Sequence, residues 1–254
     1  MFRGFGTLLN VVTVLVGSGI GVLVGHRLPA RTRDVVTDAL GLMTLLIAAF
    51  SAFAVRDREL VQAVGSSAPM LIVLAALVLG GVAGSLLRFE TRLEDLGHAL
   101  QRRLAASAAS AERRRFVEGF VTASLVFCVG PLTVLGSLSD GLGNGFEQLA
   151  LKAVLDGFAA IAFAASFGWG VAACALSVLV IQGSLTGLGA LAGEFLSLAQ
   201  VSALTATGGL VLVGVGLRLL RIKQLPVGDL LPALIFAPAL TGLVTALGLP
   251  GTTP

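Results

Sequence analysis

Residues 148–188 read QLALKAVLDGFAAIAFAASFGWGVAACALSVLVIQGSLTGL and contain two charged side chains, Lys152 and Asp156. A helix needs about 20 mostly apolar residues to cross the hydrocarbon core of a bilayer, so this run is long enough for two crossings. Gly168-Trp169-Gly170 supplies a tight turn near its centre, and tryptophan is enriched at membrane interfaces. The stretch therefore predicts two membrane spans, Gln148–Phe167 and Val171–Leu188.

Apolar runs of similar length recur along the rest of the chain and predict six further spans. These are Gly6–Gly25, Val35–Val55, Pro69–Leu87, Gly119–Leu138, Val201–Leu217 and Val227–Leu247. A helix satisfies all of its backbone hydrogen bonds internally, as a bilayer requires. We therefore predict an all-α polytopic membrane helix bundle of about eight transmembrane helices, organised as a single membrane domain over residues 1–254.

The overall composition excludes an ordinary soluble domain. Hydrophobic residues make up 56% of the chain and charged residues 12%, whereas soluble domains carry about 25% charged residues. The basic residues lie in short clusters between apolar runs, which is typical of membrane loops and does not indicate nucleic-acid binding. Cys128 and Cys174 each lie inside an apolar run, so we predict buried thiols, with no disulfide, metal site or cofactor.

Basic residues are unequally divided between the two sides of the predicted bundle. Thirteen of the 17 Lys and Arg residues fall in the loops after the first, third and seventh spans, and four fall on the other side. Loops rich in Lys and Arg remain in the cytoplasm. We therefore predict that residues 88–118 are cytoplasmic and that both termini lie outside the cytoplasm.

Two segments resemble one another. Residues 77–88 read LVLGGVAGSLLR and residues 210–221 read LVLVGVGLRLLR, which match at eight of twelve positions. A span that contains proline follows each segment. Spans 1–4 and 5–8 are therefore predicted to form two parallel four-helix repeats. Chance similarity is an equal alternative, because glycine and leucine are common in such helices.

Residues 88–118 form the one long polar stretch. Leucines at positions 93, 96, 100 and 104 recur every three or four residues, which predicts an amphipathic helix, and residues 105–111 are rich in Ala and Ser. Arg113, Arg114 and Arg115 follow and could bind anionic lipid or a partner. A solvated hairpin that fixes topology is the favoured interpretation, because acidic residues in the segment offset its arginines.

The charged pair in span 5 is the main functional candidate. Lys152 and Asp156 are four residues apart on one helical face, and Asp156 lies about 12 Å inside the span at 1.5 Å per residue. Ionisable residues inside a bilayer are costly and generally functional. The pair is interpreted as a cation or proton site. The alternative is a structural ion pair that locks spans 4 and 5 together.

Gly130-Pro131 interrupts span 4. Proline lacks an amide donor, so the carbonyl of Phe127 would be released close to Ser124. Freed carbonyls at mid-membrane are ion ligands in broken-helix transporters. A plain kink, with the carbonyl satisfied by a neighbouring group, is the equal alternative.

Other polar residues within or near the spans add to these candidates. Asp140 and Asn144 lie between spans 4 and 5, and Asn10 and Gln182 lie inside spans 1 and 6. The last two are expected to line a pathway or to bond another helix. Gly17-x3-Gly21 and Gly80-x3-Gly84 predict close helix packing.

Several of these residues carry a family resemblance. FVEGFVTASLVFCVGP at 116–131, KAVLDG at 152–157 and Gln182-Gly183 resemble the bacterial membrane family called domain of unknown function 554. The likeness covers nearly the whole chain. It implies a multi-pass protein of the bacterial inner membrane with a transport role and no settled substrate. The family carries an acidic residue where this chain has Asn144.

Together these features predict a small secondary carrier for an ion or small polar solute, with both termini periplasmic. The main alternative is a membrane scaffold whose polar residues only hold helices together. An intramembrane enzyme is less favoured, because no nucleophile elbow, phosphate loop or zinc spacing occurs. The residues predicted to line the pathway are Asp156, Lys152, Ser124, Pro131, Asp140, Asn144 and Gln182.

Overall fold

The computed structural model describes residues 2–25, 27, 29–104, 110–129, 131–192 and 196–247. This part of the chain is helical and contains no strand. The helices are α1 Phe5–Gly25, α2 Ala30–Ala52, α3 Arg58–Val64, α4 Ala68–Leu87, α5 Phe89–Leu104, α6 Ser110–Cys128, α7 Pro131–Leu142, α8 Glu147–Phe167, α9 Gly170–Ala192, α10 Leu198–Leu219 and α11 Ala233–Leu247. Short 3-10 turns, Phe53–Arg56 and Val227–Leu230, follow α2 and precede α11.

Seven helical segments in the described residues are long and apolar enough to cross a membrane, and the bent pair α6 and α7 can supply an eighth. Large hydrophobic side chains lie on their outer surfaces. On α8, Leu151, Val154, Leu155 and Phe158 are all more than half exposed. Such a surface suits lipid rather than water. The prediction of an all-α, polytopic membrane fold is confirmed.

The division of residues 148–188 into two spans is also confirmed. Helix α8 ends at Phe167 and α9 begins at Gly170. Gly168 has a φ of +77°, a left-handed conformation that glycine adopts without steric cost. Trp169 is exposed at the turn.

The amphipathic helix predicted after Arg88 is α5, whereas the Ala-Ser-rich residues 105–109 lie outside the described residues.

The helices group into two compact units that interleave along the chain. Unit 1 comprises Met1–Leu42 and Arg92–Glu194, and unit 2 comprises Met43–Thr91 and Phe195–Pro254. Neither unit coincides with the predicted span sets 1–4 and 5–8. The single membrane domain over residues 1–254 stays a prediction.

In unit 1, α1 and α8 run parallel in close contact. A Cβ added at Gly17, Gly21 or Gly25 would overlap a backbone oxygen of α8, and the oxygens belong in turn to Gly157, Ile161 and Ala165. The glycines on α1 and the residues that they contact on α8 both advance by four residues at a time. The two helices therefore keep the same register over about two turns. The close packing predicted from Gly17-x3-Gly21 is confirmed.

Helices α6 and α7 together cross unit 1. The two are inclined at 63°, which confirms the predicted break in span 4. Near the start of α6, Phe116 touches Gly170 at the α8–α9 turn. Near the end of α7, Asp140 reaches Gly6 at the start of α1. Because α1 and α8 are parallel, these contacts lie at opposite ends of the unit. The pair is therefore a broken span rather than a loop that returns to its own side.

In unit 2, α10 is the most buried span. A capping box of Ser197 and Gln200 begins it, and Ala199 and Ala203 pack with Leu60, Val64 and Ile72. Gly84 touches the Asp229 backbone, and Gly80 touches Ala233. The close packing predicted from Gly80-x3-Gly84 is therefore confirmed as well.

The two segments that resemble one another also share a backbone feature. Arg88 and Arg221 are their last residues, and these are the two non-glycine residues with positive φ in the described part of the chain, at +54° and +57°. Left-handed arginine is uncommon, so the match extends the sequence similarity to conformation. The last span is interrupted near Pro232, as span 4 is near Pro131. The four-helix repeat stays a prediction.

Candidate functional site in unit 1

Lys152 and Asp156 form a buried ion pair on α8. Their side chains are 7% and 11% exposed. The same carboxylate oxygen, Asp156 Oδ2, accepts a second hydrogen bond from Asn10 Nδ2 on α1, at 2.9 Å. The predicted pair therefore exists, and α1 rather than span 4 supplies its additional hydrogen-bond partner.

The inward orientation of this pair follows from the pattern of α8. Leu149, Lys152, Ala153, Asp156 and Ala160 recur every three or four residues and are all buried. This spacing puts them on one helical face. The opposite face carries large apolar residues that remain exposed. An ionised carboxylate facing lipid at this depth costs several kcal/mol, so α8 rotates its charged residues toward α1.

A second polar layer lies one turn closer to the start of α1. Asp140 Oδ2 accepts a hydrogen bond from the Gly6 backbone amide at 3.1 Å. Thr7 on α1 and Thr186 on α9 share a hydrogen bond between their hydroxyl oxygens at 3.2 Å. A carboxylate at a helix N-terminus also interacts favourably with the helix dipole. This layer joins α1, α7 and α9 about one turn from the ion pair, toward the start of α1.

Some buried polar atoms of unit 1 have no hydrogen-bond partner among the described residues. They are Asn10 Oδ1, Ser18 Oγ, Ser137 Oγ and both polar atoms of the Gln182 side-chain amide. Buried polar groups in native proteins are nearly always paired, and an unpaired one costs about 1–3 kcal/mol. One of these atoms, Asn10 Oδ1, belongs to the side chain that bonds Asp156 and so lies next to the ion pair.

The helix break lies beside this core. The Cys128 thiol, at the end of α6, is within electrostatic range of Lys152 and Asp156. The carbonyl of Phe127, predicted to be released as an ion ligand, instead accepts a hydrogen bond from Thr133 Oγ1 at 3.2 Å. The threonine hydroxyl thus replaces the amide that Pro131 lacks. The alternative of a carbonyl satisfied by a neighbouring group is the one observed. Gly130 lies outside the described residues.

We expect Thr133→Val to lower the free energy of unfolding by about 1–2 kcal/mol, because it keeps the side-chain shape but leaves a buried carbonyl unpaired. Thr133→Ser keeps the hydroxyl and is the matched control. Thermal melting of both variants in detergent measures the difference. If the valine and serine variants melt at the same temperature, the Thr133 hydroxyl does not stabilise the break between α6 and α7.

The remaining predicted site residues lie in different surroundings. Ser124 Oγ donates a hydrogen bond to Ser177 on α9 at 2.9 Å, which directs its hydroxyl to α9 rather than to the ion pair. Pro131 is the first residue of α7. Asn144 is exposed in the turn after α7, outside the buried core. Gln182 is fully buried. Pathway roles for these residues stay predictions.

Several contributors are not among the predicted site residues, namely Thr7, Thr133, Ser137 and Thr186, and Asn10 is predicted only to line a pathway or to bond another helix. A signal for some of them is present in the sequence. Thr7 and Asn10, and likewise Gln182 and Thr186, are polar residues three or four apart inside apolar spans. This spacing marks one helical face, but it does not say which neighbouring helix that face meets. The expected bond from Asn10 to another helix is confirmed.

Comparison with known proteins agrees with this assignment of a membrane protein. Residues 5–242 match the family described as "Protein of unknown function (DUF554)". The chain is 28% identical to "Uncharacterized membrane protein YdfK" of Bacillus subtilis (strain 168) over 245 residues, which cover 96% of this chain and 99% of that protein. It is 29% identical to "Uncharacterized protein YqgA" of Escherichia coli (strain K12) over 241 residues, which cover 95% of this chain and 97% of that protein. No solved structure matches the chain. The family match spans both the broken α6–α7 span and the Lys152–Asp156 helix, and the chain belongs to the DUF554 family.

Proposed function

We propose that this protein is a secondary carrier of an ion or small polar solute, with a role in transport rather than in catalysis. The observation that carries the proposal is the buried Lys152–Asp156 pair beside Asn10, together with the unpaired buried polar atoms that Asn10, Ser137 and Gln182 contribute to the same unit. Broken helices and polar groups near mid-membrane are the usual elements of transporter sites. A core that served packing alone would pair these atoms or replace them with apolar groups.

A cavity at one end of unit 1 supports the proposal. This cavity of about 190 Å³ lies between the start of α1, the end of α7 and the start of α8. Its lining includes Arg3, Asp140 and Glu147. Asp140 also bonds Gly6, which is four residues, or about 6 Å along α1, from Asn10. A solute in this cavity would therefore lie against Asp140, about one helical turn from the layer of Asn10 and Asp156.

We propose that the protein lies in the bacterial inner membrane with both termini in the periplasm. The basic residues support this orientation, because most of them lie on the side of residues 88–118. The exposed Arg113 and Arg114 are proposed to contact anionic lipid headgroups at that surface. Arg115 instead donates a hydrogen bond to the Ser166 carbonyl near the end of α8.

Reporter fusions test this orientation. We expect a reporter at Ala108 to be cytoplasmic and a reporter at the C-terminus to be periplasmic, because eight crossings return the chain to its starting side. Paired reporters that are active on opposite sides of the membrane measure both positions. A C-terminal reporter on the same side as the Ala108 reporter would mean an even number of crossings between them, whereas the eight-span arrangement requires five.

A membrane scaffold is the second candidate. The observation that favours it is the register of glycines along α1 and α8, which joins the two helices without space for a ligand along that interface. In this case the ion pair and its bond to Asn10 would only hold α1 against α8.

Flux measurements in proteoliposomes distinguish the two candidates. Purified protein is reconstituted, and uptake and efflux of alkali cations and amino acids are followed under imposed ion and proton gradients. A carrier is expected to show saturable, gradient-driven flux that liposomes without protein lack. If no tested ion or solute crosses faster than in those empty liposomes, the scaffold becomes the better account.

A further inference from the structure

The buried charges of the molecule do not balance. Among the described residues, the buried charged side chains are Asp140, Lys152 and Asp156, which sum to one negative charge when ionised. All three belong to unit 1. Asp140 is partly compensated by the Gly6 amide at the start of α1, where the helix dipole supplies about half a positive charge. One further positive charge would pair every ionised group in this core.

The contacts of Asp156 leave room for such a charge. Lys152 Nζ and Asn10 Nδ2 both donate to Oδ2, and Oδ1 accepts no hydrogen bond from a described residue. The Lys152 ammonium has three N–H donors but one acceptor among the described residues, Asp156. The ammonium therefore keeps donors that bond no described residue, and one carboxylate oxygen is available for another cation.

Two buried amide side chains, Asn10 and Gln182, supply neutral oxygen atoms in the same unit. Asn10 is fully buried and bonds Asp156 through Nδ2, so its unpaired Oδ1 lies beside that carboxylate. Thr7 contacts Thr186, and α1 and α9 run in opposite directions. Asn10 and Gln182 therefore both lie about one turn deeper than that contact. Carboxylate and amide oxygens are ligands for hard metal cations. No three His, Cys, Asp or Glu side chains converge among the described residues, so the carboxylate charge suits a monovalent rather than a divalent ion.

We propose that this core binds a dehydrated monovalent metal cation at Asp156, and that the cation displaces the ammonium of Lys152. The inference rests on the proposed carrier function and names its substrate class. It also assigns a role to Asp140. A Cβ at Gly6 would touch both Leu149 and the Asp140 carboxylate, and Leu149 is three residues before Lys152 on the same face of α8.

The displaced ammonium therefore has a second carboxylate within about one turn. The flexible four-carbon stem of lysine can carry its charge over such a distance. In the cation-bound state the metal ion pairs with Asp156 and Lys152 pairs with Asp140, so that each ionised group has a partner. In the cation-free state Lys152 occupies Asp156, and the Gly6 amide holds Asp140.

Cation-dependent melting tests this proposal on the full-length protein in detergent. Lithium, sodium and potassium chloride are compared with choline chloride at constant ionic strength and pH, because a cation that binds the folded protein raises its melting temperature. We expect at least one metal cation to stabilise the wild-type protein. Asp156→Asn should abolish the effect. Lys152→Gln removes the competitor and should strengthen the apparent affinity about tenfold, as expected for a close buried charge pair.

The variant Asp140→Asn tests whether Asp140 receives the displaced Lys152 ammonium or only bonds the Gly6 amide. The asparagine carbonyl still accepts the Gly6 amide, but it offers no charge to the displaced ammonium. We expect apparent cation affinity to fall about tenfold, and the combination with Lys152→Gln to restore it. Glu90→Gln, which disrupts an ion pair with Arg218 in unit 2, is the control and should leave the cation effect unchanged.

Three results would overturn the inference. They are equal melting in metal and choline chloride for both the wild-type and Lys152→Gln proteins, an undiminished cation effect in Asp156→Asn, and an effect of pH without any effect of metal cations. Flux of a neutral or anionic solute in choline chloride would then leave the carrier function standing. Conversely, cation binding without flux of any solute would support the cation site and contradict the carrier function.

Discussion

Asp156→Asn is expected to abolish transport while the protein remains inserted and helical. The asparagine keeps the size of the side chain and a carbonyl that accepts from Asn10 Nδ2. It removes the charge that would bind a cation, so the loss falls on function more than on folding. Some loss of stability is expected as well, because Lys152 would keep a buried charge without its partner. Flux in proteoliposomes and melting in detergent measure the two effects separately.

A double substitution distinguishes more sharply between a carrier site and a structural ion pair. Lys152→Met with Asp156→Leu replaces the ion pair with apolar side chains of similar volume, which is often neutral or stabilising for a buried pair. We expect this variant to melt near the wild-type temperature and to show no flux. The matched control is Glu90→Gln. Glu90 accepts from Arg218 and from the Gly228 amide in unit 2, so its loss should lower stability and preserve flux. Normal flux through a well-folded Asp156→Asn protein would contradict the carrier site and favour a structural ion pair.

Gly21→Leu is expected to separate α1 from α8 and to lower the free energy of unfolding by about 3 kcal/mol or more. Even the first carbon of a side chain at this position would overlap the Ile161 carbonyl oxygen and the Ala164 side chain. Backbone atoms cannot move aside as a flexible side chain can. The helices would have to part, which would also draw Asn10 away from Asp156 and reduce flux in any protein that still folds.

Gly19→Leu is the matched control on the same helix. A Cβ at Gly19 would meet nothing within 4 Å, so this substitution should change the free energy of unfolding by no more than about 0.5 kcal/mol. The two variants have the same composition and differ only in the face of α1 that carries the leucine. Melting in detergent and the yield of folded protein compare them. Equal melting temperatures would show that α1 and α8 do not touch along the glycine face.

The family resemblance and the membrane fold both follow from the amino-acid sequence alone. The DUF554 match covers residues 5–242, and the residues at 116–131 and 152–157 that suggest it lie largely on α6 and α8. Helix ends agree best with the sequence where an apolar run stops at a turn, as at Phe167 before Gly168. Helix α6 begins at Ser110, well before the predicted start of span 4 at Gly119. A helix can extend beyond the bilayer into water, and hydropathy marks only the part inside the membrane.

The features that depend on residues close together in the chain follow from the sequence alone. The length of apolar runs sets the spans, the four-residue spacing puts Lys152 and Asp156 on one face, and the missing amide of Pro131 breaks span 4. Contacts between groups on different helices follow only from the way in which the helices pack. Asn10 and Asp156 are 146 residues apart in the chain, and Gly6 and Asp140 are 134 apart. Such pairs depend on the rotation and register of one helix against another. Packing of the helices fixes both, whereas the periodicity of a single helix fixes only the direction in which its own side chains point.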